Sequence, residues 1–138
     1  MKPIKTIFTV LSITVFAVLI MSMISAQPSK RKLWDIPVKY KDMVNPVKTS
    51  AASVQSGEAL YKKNCASCHG KTGIGDGPKA KTLDTFSGDF TSADFQNQSD
   101  GTLFYQTKFG RNEMPKYDKK IEDEDIWNLV NYMRTLKK

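Results

Sequence analysis

The run Cys65-Ala66-Ser67-Cys68-His69 constrains this chain more than any other stretch, because it holds both cysteines and the only histidine of the 138 residues. Two thiols three positions apart on a helical turn point to one side, and the ring of the next residue projects toward the same place. C-x-x-C-H is the attachment sequence of a c-type haem: the thiols add across the two vinyl groups and the adjacent imidazole becomes the proximal iron ligand. The other uses of such a cluster fit less well. A structural zinc site needs four protein ligands, and this chain has three Cys and His residues in total. A thioredoxin-type pair belongs in a strand-helix-strand pattern, which is absent here. A plain disulfide between cysteines three apart leaves His69 without a role. With a single histidine, the sixth iron ligand must come from another residue type.

The length suits one small domain plus an extension. Charged residues make up 25% of the chain, a globular composition rather than a disordered one. Residues 54–138 alone form a marginal core, so a covalently held haem is expected to supply much of the apolar contact. The haem-free chain is therefore expected to be largely unfolded.

The N-terminus reads as an export signal. Lys2 and Lys5 precede an apolar run from Ile7 to Ile24, and Ala26 is suited to precede a cleavage site. Ile24 is bulky where a small residue is preferred, and the 18-residue run is just long enough to span a bilayer. Residues 1–26 are thus a signal peptide or an uncleaved membrane anchor. Either way the remainder is expected in the periplasm or on the extracytoplasmic face of the membrane, anchored or soluble. The formal net charge is +7, and removal of residues 1–26, with two lysines and no acids, leaves +5. A basic surface suits an acidic protein partner. Nucleic acid is not an expected partner of an exported chain.

Residues 27–53 read as a tether. Pro28, Pro37 and Pro46 discourage a continuous helix, and the segment reaches roughly 90 Å if fully extended. Trp34, Ile36, Val38, Tyr40, Met43 and Val47 are too apolar for a solvated linker, and they either pack on the domain or dock a partner. A first helix is expected from Ser50 or Ser53, with Val54, Gly57, Tyr61, Cys65 and Cys68 along one face. Gly57 in a helix costs about 1 kcal/mol relative to Ala, which a close approach by another helix would explain. Gly70 to Gly88 reads as a loop. A short helix is expected over 102–109, capped by Ser99 or Asp100 and closed by Gly110. The clearest helix spans 123–136, with Glu122 to Asp125 at its positive end and Ile121 and Ile126 placed as a hydrophobic staple. No strand or internal repeat is expected.

Among the six methionines, Met114 stands apart. Met1, Met21 and Met23 lie in the export segment, Met43 in the tether, and Met133 in the apolar stripe of the last helix. Met114 sits in a loop, and Pro115 restricts it to extended backbone, a geometry that aims a thioether at a buried metal. His/Met ligation raises the reduction potential. The competing reading is that Met114 fills a gap and the iron site is open or takes a lysine.

Together these residues resemble a small class I bacterial cytochrome c, over residues 54–136. Gly57 and Tyr61 resemble the family's Gly and aromatic positions on the first helix. Cys65, Cys68 and His69 match the haem site, Met114-Pro115 the ligand loop, and Trp127 to Leu136 the terminal helix, with Tyr132 at its crossing near Gly57. Gly75-Asp76-Gly77-Pro78 resembles the proximal loop, where the family uses a proline carbonyl to accept the histidine's other N–H; Pro78 is the candidate. Tyr61, Pro78, Arg111 and Trp127 are thus placed around the haem pocket. The resemblance implies an all-α fold of three to four helices around one covalent haem c in residues 54–138. It also implies one-electron transfer, not catalysis, between a redox donor and acceptor, one of which could be a membrane oxidoreductase of a respiratory chain. Lys71, Lys79, Lys81, Lys108 and Lys116 are expected near the haem edge. Two other roles remain open: a haem enzyme or gas sensor with an open distal site beside Arg111 and Glu113, and a subunit serving mainly assembly of a membrane complex.

Overall fold

The computed structural model describes residues 34–138; the readings that fall on residues 1–33, the export segment and the start of the tether, lie outside the described residues. Among the described residues there are six α-helices and no strand: α1 Val38–Lys41, α2 Ala51–Asn64, α3 Ala66–His69, α4 Ala93–Gln96, α5 Asp100–Phe109 and α6 Asp123–Thr135. Three exceed a single turn, with 14, 10 and 13 residues in α2, α5 and α6. No described helix is long and apolar enough to cross a membrane.

The helix boundaries follow from capping chemistry. Ser50 and Ser53 close a reciprocal box, in which each backbone N–H donates to the other's hydroxyl at 3.0 and 3.1 Å. Ser99 accepts from the Thr102 amide and starts α5, two residues earlier than the sequence suggests. Gly110, at φ 55°, ends α5. The expectation that both thiols ride on the first helix is corrected. α2 stops at Asn64, Cys65 departs to φ −116°, and Cys68 lies on the separate turn α3. The apolar spacing continues across this break, so periodicity alone hides it.

The frame is the crossing of α2 with α6. A Cβ on Gly57 would strike the Asn128 carbonyl oxygen and lie 2.8 Å from the Tyr132 Cβ. Glycine is therefore required by backbone-to-backbone contact, the close approach that its position implied. α6 shows more than the single apolar side that its sequence suggests. Every residue from Ile126 to Met133 is buried, because α2 and α5 pack against it and the 45–49 segment bonds to it. Met133 is a core residue, as expected. Trp127 stacks on Phe104 with centroids 4.2 Å apart.

The described part of the tether belongs to the same compact unit, Trp34–Lys138. Ile36 is buried, and Tyr40 packs its ring against Phe104, Tyr105 and Phe109 of α5. A Cβ on Gly101 would collide with the Tyr40 carbonyl. Asn131 secures this strap. Its amide donates to the Val47 carbonyl and the Ser53 hydroxyl, and its carbonyl accepts from Asn45 and Thr49. All four of its hydrogen-bonding positions are filled, which makes its burial tolerable.

Candidate functional site

Cys65, Cys68 and His69 sit at the end of α2 and on α3, where backbone hydrogen bonds fix them from outside. The amide of Lys79 donates to the Ser67 carbonyl at 2.8 Å, that of Gly77 to Cys68 at 3.2 Å, and that of Gly75 to His69 at 2.9 Å. The loop can approach this closely because a Cβ on Gly77 would overlap the Ser67 carbonyl. Gly75 takes φ 81°, a conformation suited to glycine. The buried Tyr61 hydroxyl donates to the Gly70 carbonyl at 2.7 Å, pinning the residue after His69. Burial raises the Tyr61 pKa well above the ordinary tyrosine value.

Both cysteines are free thiols rather than a disulfide. Burial, with a smaller contribution from Cys68, pushes the Cys65 thiol up to about 12. A thiol held neutral lacks the lowered pKa of a redox-active C-x-x-C pair. Burial pulls His69 down to about 4, opposed in part by a hydrogen bond with the Ser87 backbone. At neutral pH the imidazole is therefore uncharged and keeps a lone pair for a metal. Its Nδ1 is buried with no hydrogen-bond partner. A buried orphan of this kind costs about 1–3 kcal/mol. Two unpaired thiols on one turn, a neutral imidazole beside them and an unpartnered ring nitrogen fit a covalently bound haem iron. Among the described residues no group of three or more His, Cys, Asp or Glu is arranged to hold a bare metal ion.

The backbone hydrogen bond of the His69 ring is with Ser87 rather than with the expected Pro78 carbonyl, which leaves Nδ1 as the unpartnered nitrogen. The ring lies instead against Phe90, 4.4 Å between centroids, while the Pro78 loop is fastened to motif carbonyls through its neighbours' amides. Phe90 was not indicated by the sequence; its ring also stacks on Phe95.

Met114 is half-buried and closes a four-residue turn. Arg111 N–H donates to Met114 O at 3.0 Å, and Met114 N–H to Arg111 O at 2.9 Å. Asn112 lies inside this turn at φ 52°. The Arg111 guanidinium stands 4.3 Å over the Trp34 ring, so the strap reaches this loop as well. Three residues on, the Tyr117 hydroxyl donates to the Asn64 carbonyl at 2.9 Å, immediately before Cys65. Tyr117 thus ties the Met114 segment to the end of α2. Nothing in its local sequence marks it. Trp127 is buried against Phe104 in the core.

Lys71, Lys79, Lys81 and Lys116 are exposed. Lys108 differs from that group, because it is paired with Asp123 at 2.5 Å and lies over the Phe104 and Phe109 rings.

Comparison with known proteins places the chain in a family. The family model described as cytochrome C oxidase, cbb3-type, subunit III matches residues 52–133. Cytochrome c6 of Gracilaria tenuistipitata var. liui is 34% identical over 86 residues, covering 62% of this chain and 74% of its own length. The cbb3-type cytochrome c oxidase subunit CcoP of Azospirillum brasilense is 28% identical over 100 residues, 71% of this chain and 33% of that protein. Among solved structures, a chain of the Kuenenia stuttgartiensis reducing HAO-like protein complex Kustc0457/Kustc0458 superposes with a TM-score of 0.62 at 28% identity. That match covers 67% of this chain and 47% of that one. The KustC0563 c-type cytochrome superposes with a TM-score of 0.53 at 30% identity, covering 59% of this chain and 98% of that one.

Proposed function

Since the chain belongs to the cytochrome c oxidase, cbb3-type, subunit III family and is a small class I c-type cytochrome with one covalent haem c, we propose that Cys65 and Cys68 carry the haem and that His69 and Met114 ligate its iron. Haem-based electron transfer is the function of such a chain. The bound haem supplies reversible one-electron cycling of its iron. The protein's own contribution is to hold the ligands. The 75–79 amides fix the His69 turn, burial keeps the imidazole neutral, and the Tyr117–Asn64 bond brings the Met114 segment to the Cys65 end of α2. The observation that carries this reading is the buried, neutral His69 with an unpartnered ring nitrogen beside two free thiols. With both axial positions filled by the protein, no site remains for a substrate, so the chain is a carrier and not an enzyme.

The carrier works outside the cytoplasm, in the periplasm or on the membrane's outer face, between a donor and an acceptor protein of a respiratory chain, one of them a membrane oxidoreductase. Exposed Lys71, Lys79, Lys81 and Lys116 steer an acidic partner into a brief, small-interface encounter. Charge reversal at these four lysines lowers the association rate and flattens its salt dependence; unchanged rates and slopes would remove them from the docking face.

The ligand assignment is tested on the oxidised holo-protein through the weak far-red absorption band of an iron(III)–methionine bond. Wild type and Met133→Leu show the band, and Met114→Leu loses it. A band that survives in Met114→Leu would assign the sixth ligand elsewhere.

A further inference from the structure

Glu113, beside Met114, is an exposed acid on a loop, a position where a carboxylate is ordinarily solvated. Here it is fully engaged. Its Oε1 accepts from the Asp84 amide at 3.0 Å, and its Oε2 accepts from the Thr85 amide at 3.1 Å and the Thr85 hydroxyl at 2.8 Å. Three donors from two successive residues converge on one carboxylate from a segment 28–29 positions away. Charge-assisted bonds of this kind are stronger than neutral ones.

We propose that Glu113 is a positioning residue: its carboxylate clasps Asp84 and Thr85 and so holds the 111–114 turn where Met114 reaches the iron. This rests on the His69/Met114 reading above. The turn needs an outside tie. It is closed by only two backbone bonds, between Arg111 and Met114, and it carries a non-glycine residue, Asn112, in the left-handed region. Such a turn has little stability of its own. Tyr117 ties the chain three residues downstream, and Arg111 contacts Trp34 at the turn's start. Glu113 is the tie adjacent to the ligand itself. Displacement of Met114 moves the backbone to which Glu113 is attached, so the clasp favours the methionine-bound population.

The experiment uses oxidised holo-protein and imidazole as a competing ligand, with the far-red band as readout. Glu113→Ala raises the apparent imidazole affinity about threefold, the scale of one exposed charged contact. Thr85→Val, which removes one of the three donors, gives a smaller rise, and Glu113→Gln falls between them. The denaturant midpoint for loss of helix falls by no more than the equivalent of that same small factor in any of the three. Equal imidazole affinity in wild type and Glu113→Ala, with the band present, overturns the clasp alone. A loss of global stability far larger than the change in imidazole affinity also overturns it, because Glu113 is then merely structural. Absence of the band from wild type overturns the clasp together with the His/Met ligation.

Discussion

The two sides of the proposed haem site are built by different means. On the His69 side, three consecutive carbonyls of the motif are each held by an amide of the 75–79 loop. On the Met114 side, a short self-bonded turn depends on side chains: Glu113 to the 84–85 backbone, Arg111 to Trp34, and Tyr117 to Asn64. Backbone ladders survive most substitutions, whereas each side-chain tie is lost with one residue. The His69 side is therefore the fixed half of the site and the Met114 side the adjustable half. Bonds formed in the low-lying states of a protein open first where fewest neighbours support them.

The largest expected effect breaks the fixed half outright. Replacing Cys65 and Cys68 by alanine abolishes covalent haem on a denaturing gel and leaves a chain without cooperative unfolding. A folded, helical haem-free variant would show that the core does not need the cofactor. Next comes the frame beneath that half. Gly57→Ala drives a methyl into the Asn128 carbonyl and destabilises by about 2–3 kcal/mol in urea, because neither backbone can recede. A loss under 0.5 kcal/mol would mean that the α2–α6 crossing is looser than described.

The adjustable half responds differently. Tyr117→Phe removes one partly buried hydrogen bond worth about 1 kcal/mol. Its effect on methionine displacement by imidazole is expected to match its effect on the urea midpoint, because the bond is lost in both; a urea effect with no change in displacement would remove Tyr117 from the adjustable half. The smallest effect concerns the turn that presents Phe90 to His69. Asp89 is held below the usual carboxylate range by the Thr91 hydroxyl and amide. Because its pKa is lower folded than unfolded, its contribution is complete above the ordinary carboxylate range and is lost as pH falls through the lowered value. Asp89→Asn should therefore slightly weaken the protein at neutral pH and remove a small part of its acid sensitivity. An unchanged acid titration would discard this contribution.

The fixed half is also the half that the sequence announces. C-x-x-C-H, Gly57, the Ser50 and Ser99 caps and Gly110 are local signals, each legible from a few neighbouring residues. The apolar pattern of α6 located the helix but not the burial of its polar residues. Asn131 and Arg134 look like ordinary solvated positions. Yet Asn131 joins the strap, α2 and α6, and Arg134 donates to the Gln96 and Gln98 carbonyls and pairs with Asp100. The ties of Glu113 and Tyr117 span 28–29 and 53 positions. Bonds between side chains and distant backbone have no period and no fixed spacing, so nothing local could reveal them. The strap was ambiguous for the same reason. Its apolar residues need a partner, and the packing of Tyr40 on α5, with the burial of Ile36, identifies that partner as the chain itself.

The central claim is that the protein fills both axial positions of its iron. Exposing the reduced holo-protein to carbon monoxide tests it most directly. The account predicts an unchanged spectrum, with Met114 retained. Rapid, stoichiometric carbon monoxide binding would contradict it and would make the chain a haem protein with an open site.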